Sequence, residues 1–411
     1  MGRSAYLSRR KDLVRTALAL LVAVCAALLT ASSASATLAE RLTRALTSPG
    51  VSWSKTGALA LDIQNGRKLY SRNASLSLRP ASNAKLTVAL AALDRLGPGN
   101  RIPTLVRGEG RREGGTWHGR LVLKGFGDPT LSSGDLATLA ARVRASGISR
   151  ITGAIEGDES YWDTRRVVSG WKASFYKEEC PPLSALTVDR AKVGSRVVSD
   201  PALAAARAFR GALVAAGVRV DGWARKGVAD NGSVGVARVV SGTMRRLVLR
   251  MNRVSDNFIA ESLLKVLGAR IRGNGTSAAG ARIVTETLAA RGVPLRGVRI
   301  VDGSGLSRYD RLTARAIAAL LVSAWSDRTI RRPFFESLPL AGVEGTLEDR
   351  LESAPAYRSV RAKTGTTKHA SALSGYVRRR IVFSVLQNGS PIPWDSARAG
   401  QDRFVQVLAG L

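Results

Sequence analysis

Three short motifs stand far apart in this 411-residue chain, and they can serve one chemistry only if the fold brings its beginning, middle and end to one place. They are Ser82-Asn83-Ala84-Lys85, Ser255-Asp256-Asn257 and Lys363-Thr364-Gly365-Thr366, in that order. Together they have the residue types of a serine acyl-transfer site in which lysine stands where most serine hydrolases use histidine. Each pattern alone is weak: Ser169-Gly170-Trp171-Lys172, Ser71-Arg72-Asn73 and Lys55-Thr56-Gly57 also fit. Context separates them. Ser82 and Lys85 follow Pro80 and open the run Leu86, Ala89, Leu90 and Leu93, whose spacing is helical. Residues three apart at a helix start share one face. Ser169 sits in a segment without helical period, and Lys55-Thr56-Gly57 precedes the serine, in the wrong order. These matches read as chance.

Composition removes the commoner alternatives. The two histidines, His118 and His369, have no Gly-x-Ser-x-Gly elbow to serve and read as surface or half-buried side chains. No zinc-ligand spacing and no Gly-rich phosphate loop after a strand is present, so neither a metal nor any other cofactor is expected.

The first 36 residues have the grammar of an export signal. Arg9, Arg10, Lys11 and Arg15 form the basic part, Thr16 to Leu29 the apolar part, and Ala34-Ser35-Ala36 the cleavage site, so the mature chain is expected to start at Thr37, outside the cytoplasm. Arg9-Arg10 also fits a twin-arginine signal, although Asp12 falls where an apolar residue belongs. Val24 is too bulky for Cys25 to be a lipidation site. After cleavage Cys180 is the sole cysteine, which excludes an intrachain disulfide, and its flanking acids Glu178 and Glu179 disfavour a thiolate.

The formal charge is +32, of which the leader carries +4, leaving about +28 on the exported part. The arginines are scattered and not interleaved with stacking aromatics, so nucleic acid is not the expected partner. An anionic cell-wall polymer is the simpler one, attracted over about 8 Å at physiological salt. A solvated basic surface in an Arg-rich chain accounts for the charge equally well.

Ala58 to Ile63 and Lys68 to Ser71 flank the turn Gln64-Asn65-Gly66 and predict a hairpin. Val360 to Lys363, Ser371 to Val377 and Ile381 to Gln387 predict three more strands, followed by a helix around Asp402 to Leu408. A sheet built from both ends of the chain, with helices between, is an α+β catalytic domain. About 170 residues separate the first two motifs, too many for a loop. A helical stripe at Leu136, Leu139, Ala140 and Val143 precedes the strand-like Ile148 to Ile155; a helix capped by Asp200-Pro201 precedes Val218 to Val220; Glu286 to Arg291 precedes a further strand at Val298 to Val301. The expected organisation is therefore a signal peptide (1–36), a catalytic domain in two parts (37–100 and 241–411), and an inserted α/β domain (101–240).

Further blocks, in order, make the chain resemble the D-alanyl-D-alanine carboxypeptidases of the peptidase S13 group, the low-molecular-mass class C penicillin-binding proteins. They are Pro80-Ala81 before Ser82, Gly127-Asp128-Pro129-Thr130-Leu131, Gly157-Asp158 with Tyr161 and Asp163, Pro182-Leu183-Ser184-Ala185-Leu186, Ala260-Glu261, Asp302-Gly303-Ser304-Gly305-Leu306-Ser307-Arg308 and Glu344-Gly345-Thr346-Leu347. The resemblance covers nearly all of the mature chain. It implies a β-lactamase/transpeptidase-like catalytic domain, an antiparallel sheet flanked by helices, that cuts the terminal D-alanine from peptidoglycan stem peptides and is acylated by β-lactam antibiotics.

In that chemistry Ser82 attacks the penultimate D-alanyl carbonyl, and water then hydrolyses the acyl-enzyme. Lys85 is the expected general base, made neutral by burial and by a second cation, Lys363. Ser255 relays a proton to the leaving amine, and Asn257 holds Lys85 and the substrate amide. Lys363, Thr364 and Thr366 bind the terminal carboxylate. By resemblance, the backbone N–H groups of Ser82 and Thr366 form the oxyanion hole, and Arg308 with Lys368 meets a carboxylate on the substrate side chain. Asp163 and Trp162 are weaker candidates, while Asp302 to Gly305, Glu344 and Gly345 read as turns that shape the site. Two rivals share the motifs: a class A β-lactamase, which needs a Glu-x-x-Leu-Asn that is absent after Ser255, and a decayed wall-binding or β-lactam-sensing protein.

Overall fold

The two ends of the chain build one sheet. In this computed structural model, which describes residues 36–411, Thr56–Asp62 and Lys68–Arg72 join Val360–Thr367, Ala370–Val377 and Ile381–Asn388. Val360–Thr367 lies at one edge, followed by Ala370–Val377, Ile381–Asn388, Thr56–Asp62 and, at the other edge, Lys68–Arg72, with every pair antiparallel. The register sets Thr56 against Gln387 and Asp62 against Ile381, so the hairpin before the first motif is locked to the strands after the third. Ala370–Val377 is buried along its whole length, as a strand covered on both faces must be; Trp394–Ala409 and Ala314–Ser326 pack on it.

Behind the sheet the first motif opens a helix, Lys85–Arg95, preceded by a 3₁₀ turn at Ala81–Ala84. Every residue from Lys85 to Leu93 is buried, more than the apolar stripe alone predicts, because helices Met244–Arg253, Asn257–Arg272, Ser277–Ala290 and Ala314–Ser326 surround it. A Leu90→Ala change there removes a fully buried side chain and costs about 2–5 kcal/mol.

Residues 103–240 contribute a second sheet, ordered Ala224–Lys226, Ile155–Asp158, Thr116–Gly125, Pro103–Glu113, Val234–Val240, with Arg150–Ile151 and Arg219–Val220 attached. Its pairs are both parallel and antiparallel. Helices Ser133–Ala145 and Pro201–Ala215 pack on each other and share its separate apolar cluster, which includes Leu136, Ile155 and Phe209. Asp200 caps its helix by accepting from the Leu203 amide (3.2 Å). Residues 42–411 hold together as one compact unit.

The structure departs from expectation at three places. The long hairpin Pro103–Glu113 and Thr116–Gly125 has a Gly- and Arg-rich tip that reads as loop. Ile148 to Ile155 is split into Arg150–Ile151 and Ile155–Asp158, because the Thr152 hydroxyl takes the Gly119 amide that a ladder carbonyl would otherwise accept (3.2 Å). Val298 to Val301 forms no strand beyond a single bridge between Arg299 and Arg311. There the Asp310 carboxylate accepts the Val301 amide (2.7 Å) and satisfies it locally. The expected leader, with Cys25, lies outside the described residues apart from Ala36. No described helix is long and apolar enough to cross a membrane.

Candidate active site

The fold brings the three motifs together at the edge of the first sheet. Ser82, Ser255, Asn257, Thr364, Thr366 and Lys368 line one cleft of about 700 Å³. Lys85 and Lys363 lie beneath them, both fully buried. Arg308 lines an adjoining concavity of about 410 Å³ that shares Lys368 with the cleft. A larger concavity of about 770 Å³ beside Asp163 contains none of these side chains.

Local geometry aims the nucleophile. Ala81 takes a left-handed backbone (φ 47°), which turns the chain sharply into the serine turn. Gly305 makes room for that turn: a Cβ there would stand 1.8 Å from the Ala81 carbonyl oxygen. Gly365 lets the edge strand approach closely, since a Cβ on it would lie 3.1 Å from the Ser82 nitrogen. Ser255 is also left-handed (φ 57°). The next residue, Asp256, caps helix Asn257–Arg272 through the Ile259 amide (3.0 Å) and is held by Arg190 of the second sheet's region (2.5 Å).

Lys85 Nζ lies within hydrogen-bond distance of three oxygens: Ser82 Oγ (2.9 Å), Asn257 Oδ1 (2.7 Å) and the Ser304 carbonyl (2.8 Å). Burial lowers its pKa to about 8, against the opposing pull of Asp302, Glu261 and Asp256. Lys363 Nζ donates to Ser255 Oγ (3.0 Å) and the Thr364 carbonyl (2.9 Å), and both of these residues line the cleft. Its pKa is pushed well below the usual lysine range by burial and then by Lys85. The expectation that Lys363 depresses Lys85 is therefore recast. Burial does that work, and it is also the first cause of the lowered pKa of Lys363, followed by the charge of Lys85.

Three residues to which the sequence reading gave no catalytic role belong to this arrangement. Glu261 Oε1 accepts the amides of Gly303 (3.0 Å) and Ser304 (2.8 Å), which fixes the Ser304 carbonyl on Lys85. Its other oxygen is buried without a hydrogen-bond partner, and burial followed by Asp302 raises its pKa to about 8. Thr346 receives the Thr364 hydroxyl (2.8 Å). The Glu179 carbonyl accepts from Asn257 Nδ2 (3.0 Å), occupying the amide expected to meet substrate. Lys172 and Arg398 also line the cleft, and Arg398 donates to Thr366 Oγ1 (3.3 Å). Of these two, only Lys172 figured in the sequence reading, as part of a chance motif match. These partners come from distant segments, so no local pattern announces them.

Other candidates fall outside the cleft. Asp163 is bonded to Lys265, and Trp162 is buried beneath that ammonium. His118 is partly exposed near Glu113, and His369 is half-buried with Nδ1 near the Gly389 carbonyl (3.3 Å). Cys180 is buried, and burial is the first cause of its raised pKa, followed by Glu261 and Asp256. The sequence neighbours Glu178 and Glu179 are not what holds the thiol protonated. Among the described residues no group of three His, Cys, Asp or Glu side chains is arranged to hold a metal ion.

A serine joined to a buried lysine, with a second serine and lysine beside it, defines an active-serine site of the lysine-dependent class. The chain belongs to the D-Ala-D-Ala carboxypeptidase 3 (S13) family, whose pattern matches residues 38–199 and 191–411. It is 32% identical to a D-alanyl-D-alanine carboxypeptidase of an Actinomadura species over 90% of this chain and 84% of that one. The fold is that of penicillin binding protein 4 from Haemophilus influenzae (TM-score 0.78, 22% identity, 90% of this chain and 98% of that one), a protein also solved in complex with a β-lactam. A predatory peptidoglycan endopeptidase from Bdellovibrio bacteriovorus is more distant (TM-score 0.54, 16% identity, 81% and 86% covered).

Proposed function

We propose that this chain is an exported serine D-Ala-D-Ala carboxypeptidase that trims peptidoglycan stem peptides through an acyl-enzyme on Ser82 and is acylated there by β-lactams. The observation that carries the reading is the hydrogen bonding of Lys85. A neutral amine has two N–H donors and one lone pair. The Asn257 amide oxygen and the Ser304 carbonyl can only accept, so they take both donors, and the lone pair is left facing the Ser82 hydroxyl. Lys85 then takes the Ser82 proton as Oγ attacks the D-alanyl carbonyl. The proton passes through Ser255 to the departing D-alanine nitrogen, and water attacks the ester in the second half-reaction. A positioned base of this kind contributes on the order of 10²–10⁴ in rate.

The backbone amides of Ser82 and Thr366 receive the oxyanion, where losing one donor typically costs roughly 2.7–4 kcal/mol. Thr364 and Thr366 meet the terminal carboxylate, with Lys363 acting through Ser255 and Arg398 through Thr366. Arg308 and Lys368 meet an anionic substrate side chain from the adjoining concavity. Glu261 is a positioning residue that holds the Ser304 carbonyl in place. Cleavage of D-alanyl crosslinks presents the same bond to the same serine, so endopeptidase activity on such links accompanies trimming. The charge of about +28 on the exported part supports an anionic wall polymer as a second partner. The test is release of D-alanine from a stem peptide ending in D-Ala-D-Ala: Ser82→Ala abolishes it in a protein that still melts cooperatively, and undiminished release would reject the assignment.

A further inference from the structure

Away from the catalytic cleft, at the opposite end of the edge strand Val360–Thr367, Arg358, Arg361, Arg378 and Arg379 surround an open concavity of about 420 Å³ with Phe335 at its wall. Among the described residues no acidic side chain lines it. Arg361 spends part of its guanidinium on Glu344 (2.9 Å) and on the Leu338 carbonyl (2.7 Å), while Arg358, Arg378 and Arg379 have no ion pair among the described residues. The Arg361 and Arg379 guanidiniums both lie over the Phe335 ring, 5.6 and 5.4 Å from its centroid, which braces them against an apolar surface.

The backbone is unusual at these residues. Arg378 and Arg379 are the two central residues of the hairpin turn closed by the Arg380 amide on the Val377 carbonyl (3.0 Å), and both have positive φ (49° and 56°). Such a turn favours Asn-Gly, because an L side chain is strained at each position. Arg358 is left-handed as well (φ 55°), and the Arg378 amide is bonded to the carbonyl of its neighbour Ser359 (2.7 Å). Three strained arginines on two segments, converging without lining acids, are a costly way to build a loop and an effective way to present guanidinium forks, which match phosphate oxygens in pairs.

We propose that this arginine pocket binds a phosphate-bearing polyanion of the cell envelope, a soluble or wall-linked polymer in preference to a lipid headgroup. Five residues of extended strand, about 17 Å, separate Arg361 from Thr366, so a polymer held here lies beside the stem peptides that reach the cleft. The proposal rests on the anionic partner named above and is independent of the peptidase reading, since binding is measured without turnover.

The test is calorimetric titration of the protein with inorganic polyphosphate at several salt concentrations, alongside sedimentation with phosphatidylglycerol vesicles. The double variant Arg378→Asn/Arg379→Gly restores the residues this turn prefers, so it keeps or raises the melting temperature, and D-alanine release stays at the wild-type rate. Its affinity for polyphosphate falls at least tenfold and the salt dependence becomes shallower, while Arg207→Asn/Arg296→Asn, the same charge loss elsewhere, stays within about threefold of wild type. Absence of polyphosphate binding by the wild-type protein, equal loss in both double variants, or loss of vesicle binding alone would overturn the proposal.

Discussion

The edge strand Val360–Thr367 carries cations toward both ends, and the protein treats them in opposite ways. At the catalytic end Lys363 and its neighbour Lys85 are wholly buried, and burial lowers the pKa of both. At the far end Arg358, Arg378 and Arg379 are exposed. The choice of residue follows from what each end does. A lysine can lose its charge when desolvated and so can take a proton from serine; an arginine keeps its charge under all ordinary conditions and is suited to holding an anion. The acids are distributed accordingly: Glu261, Asp302 and Asp256 restrain the shift of Lys85, whereas among the described residues none lines the arginine pocket.

The sharpest way to break this contrast is to put the wrong cation at the catalytic end. Lys85→Arg keeps a positive charge where a neutral amine is required, so acylation by benzylpenicillin falls by on the order of 10²–10⁴. Rapid-quench labelling checks this, and near-normal rates would show that Lys85 is not the base.

A smaller effect is expected behind it. Glu261→Asp shortens the side chain that grips the Gly303 and Ser304 amides, lowering the acylation rate constant more than about tenfold, or about 1.4 kcal/mol of barrier, while the initial binding constant is unchanged. Glu261→Gln keeps an accepting oxygen and stays within about threefold. A loss in Glu261→Gln with none in Glu261→Asp would mean that charge, and not the position of the Ser304 carbonyl, is what matters. Smaller still is Arg308→Ala, which raises KM severalfold for stem peptides with an anionic third side chain and leaves neutral ones unchanged.

The site was legible in sequence to the extent that its residues lie in short runs. Ser82 with Lys85, and Ser255 with Asn257, are local patterns, and the helical spacing after Lys85 marked the right serine. The sheet was legible for a similar reason: its strands are continuous apolar runs with clear turns, although the third motif sits inside Val360–Thr367 and not at its end. What could not be read is held by contacts between distant segments. Nothing near Glu261 says that its carboxyl will meet the Gly303 and Ser304 amides, nor does the run Glu178-Glu179-Cys180 say that a carbonyl there will cover Asn257. Val298 to Val301 has strand composition, but the Asp310 side chain satisfies the Val301 amide first. The arginine pocket was hidden because its members look like background in an Arg-rich chain until Ser359 and the 377–380 turn bring them together.

The central claim is that Ser82 is the nucleophile and a neutral Lys85 its base. It is tested most directly by intact-mass analysis, with adduct mapping, of the protein pulsed with benzylpenicillin between pH 6 and 9. Because only the unprotonated lysine can accept the serine proton, the account predicts a single long-lived adduct on Ser82 whose rate of formation climbs as pH rises through about 8. An adduct on another residue, none at all, or rapid release of hydrolysed drug would contradict it.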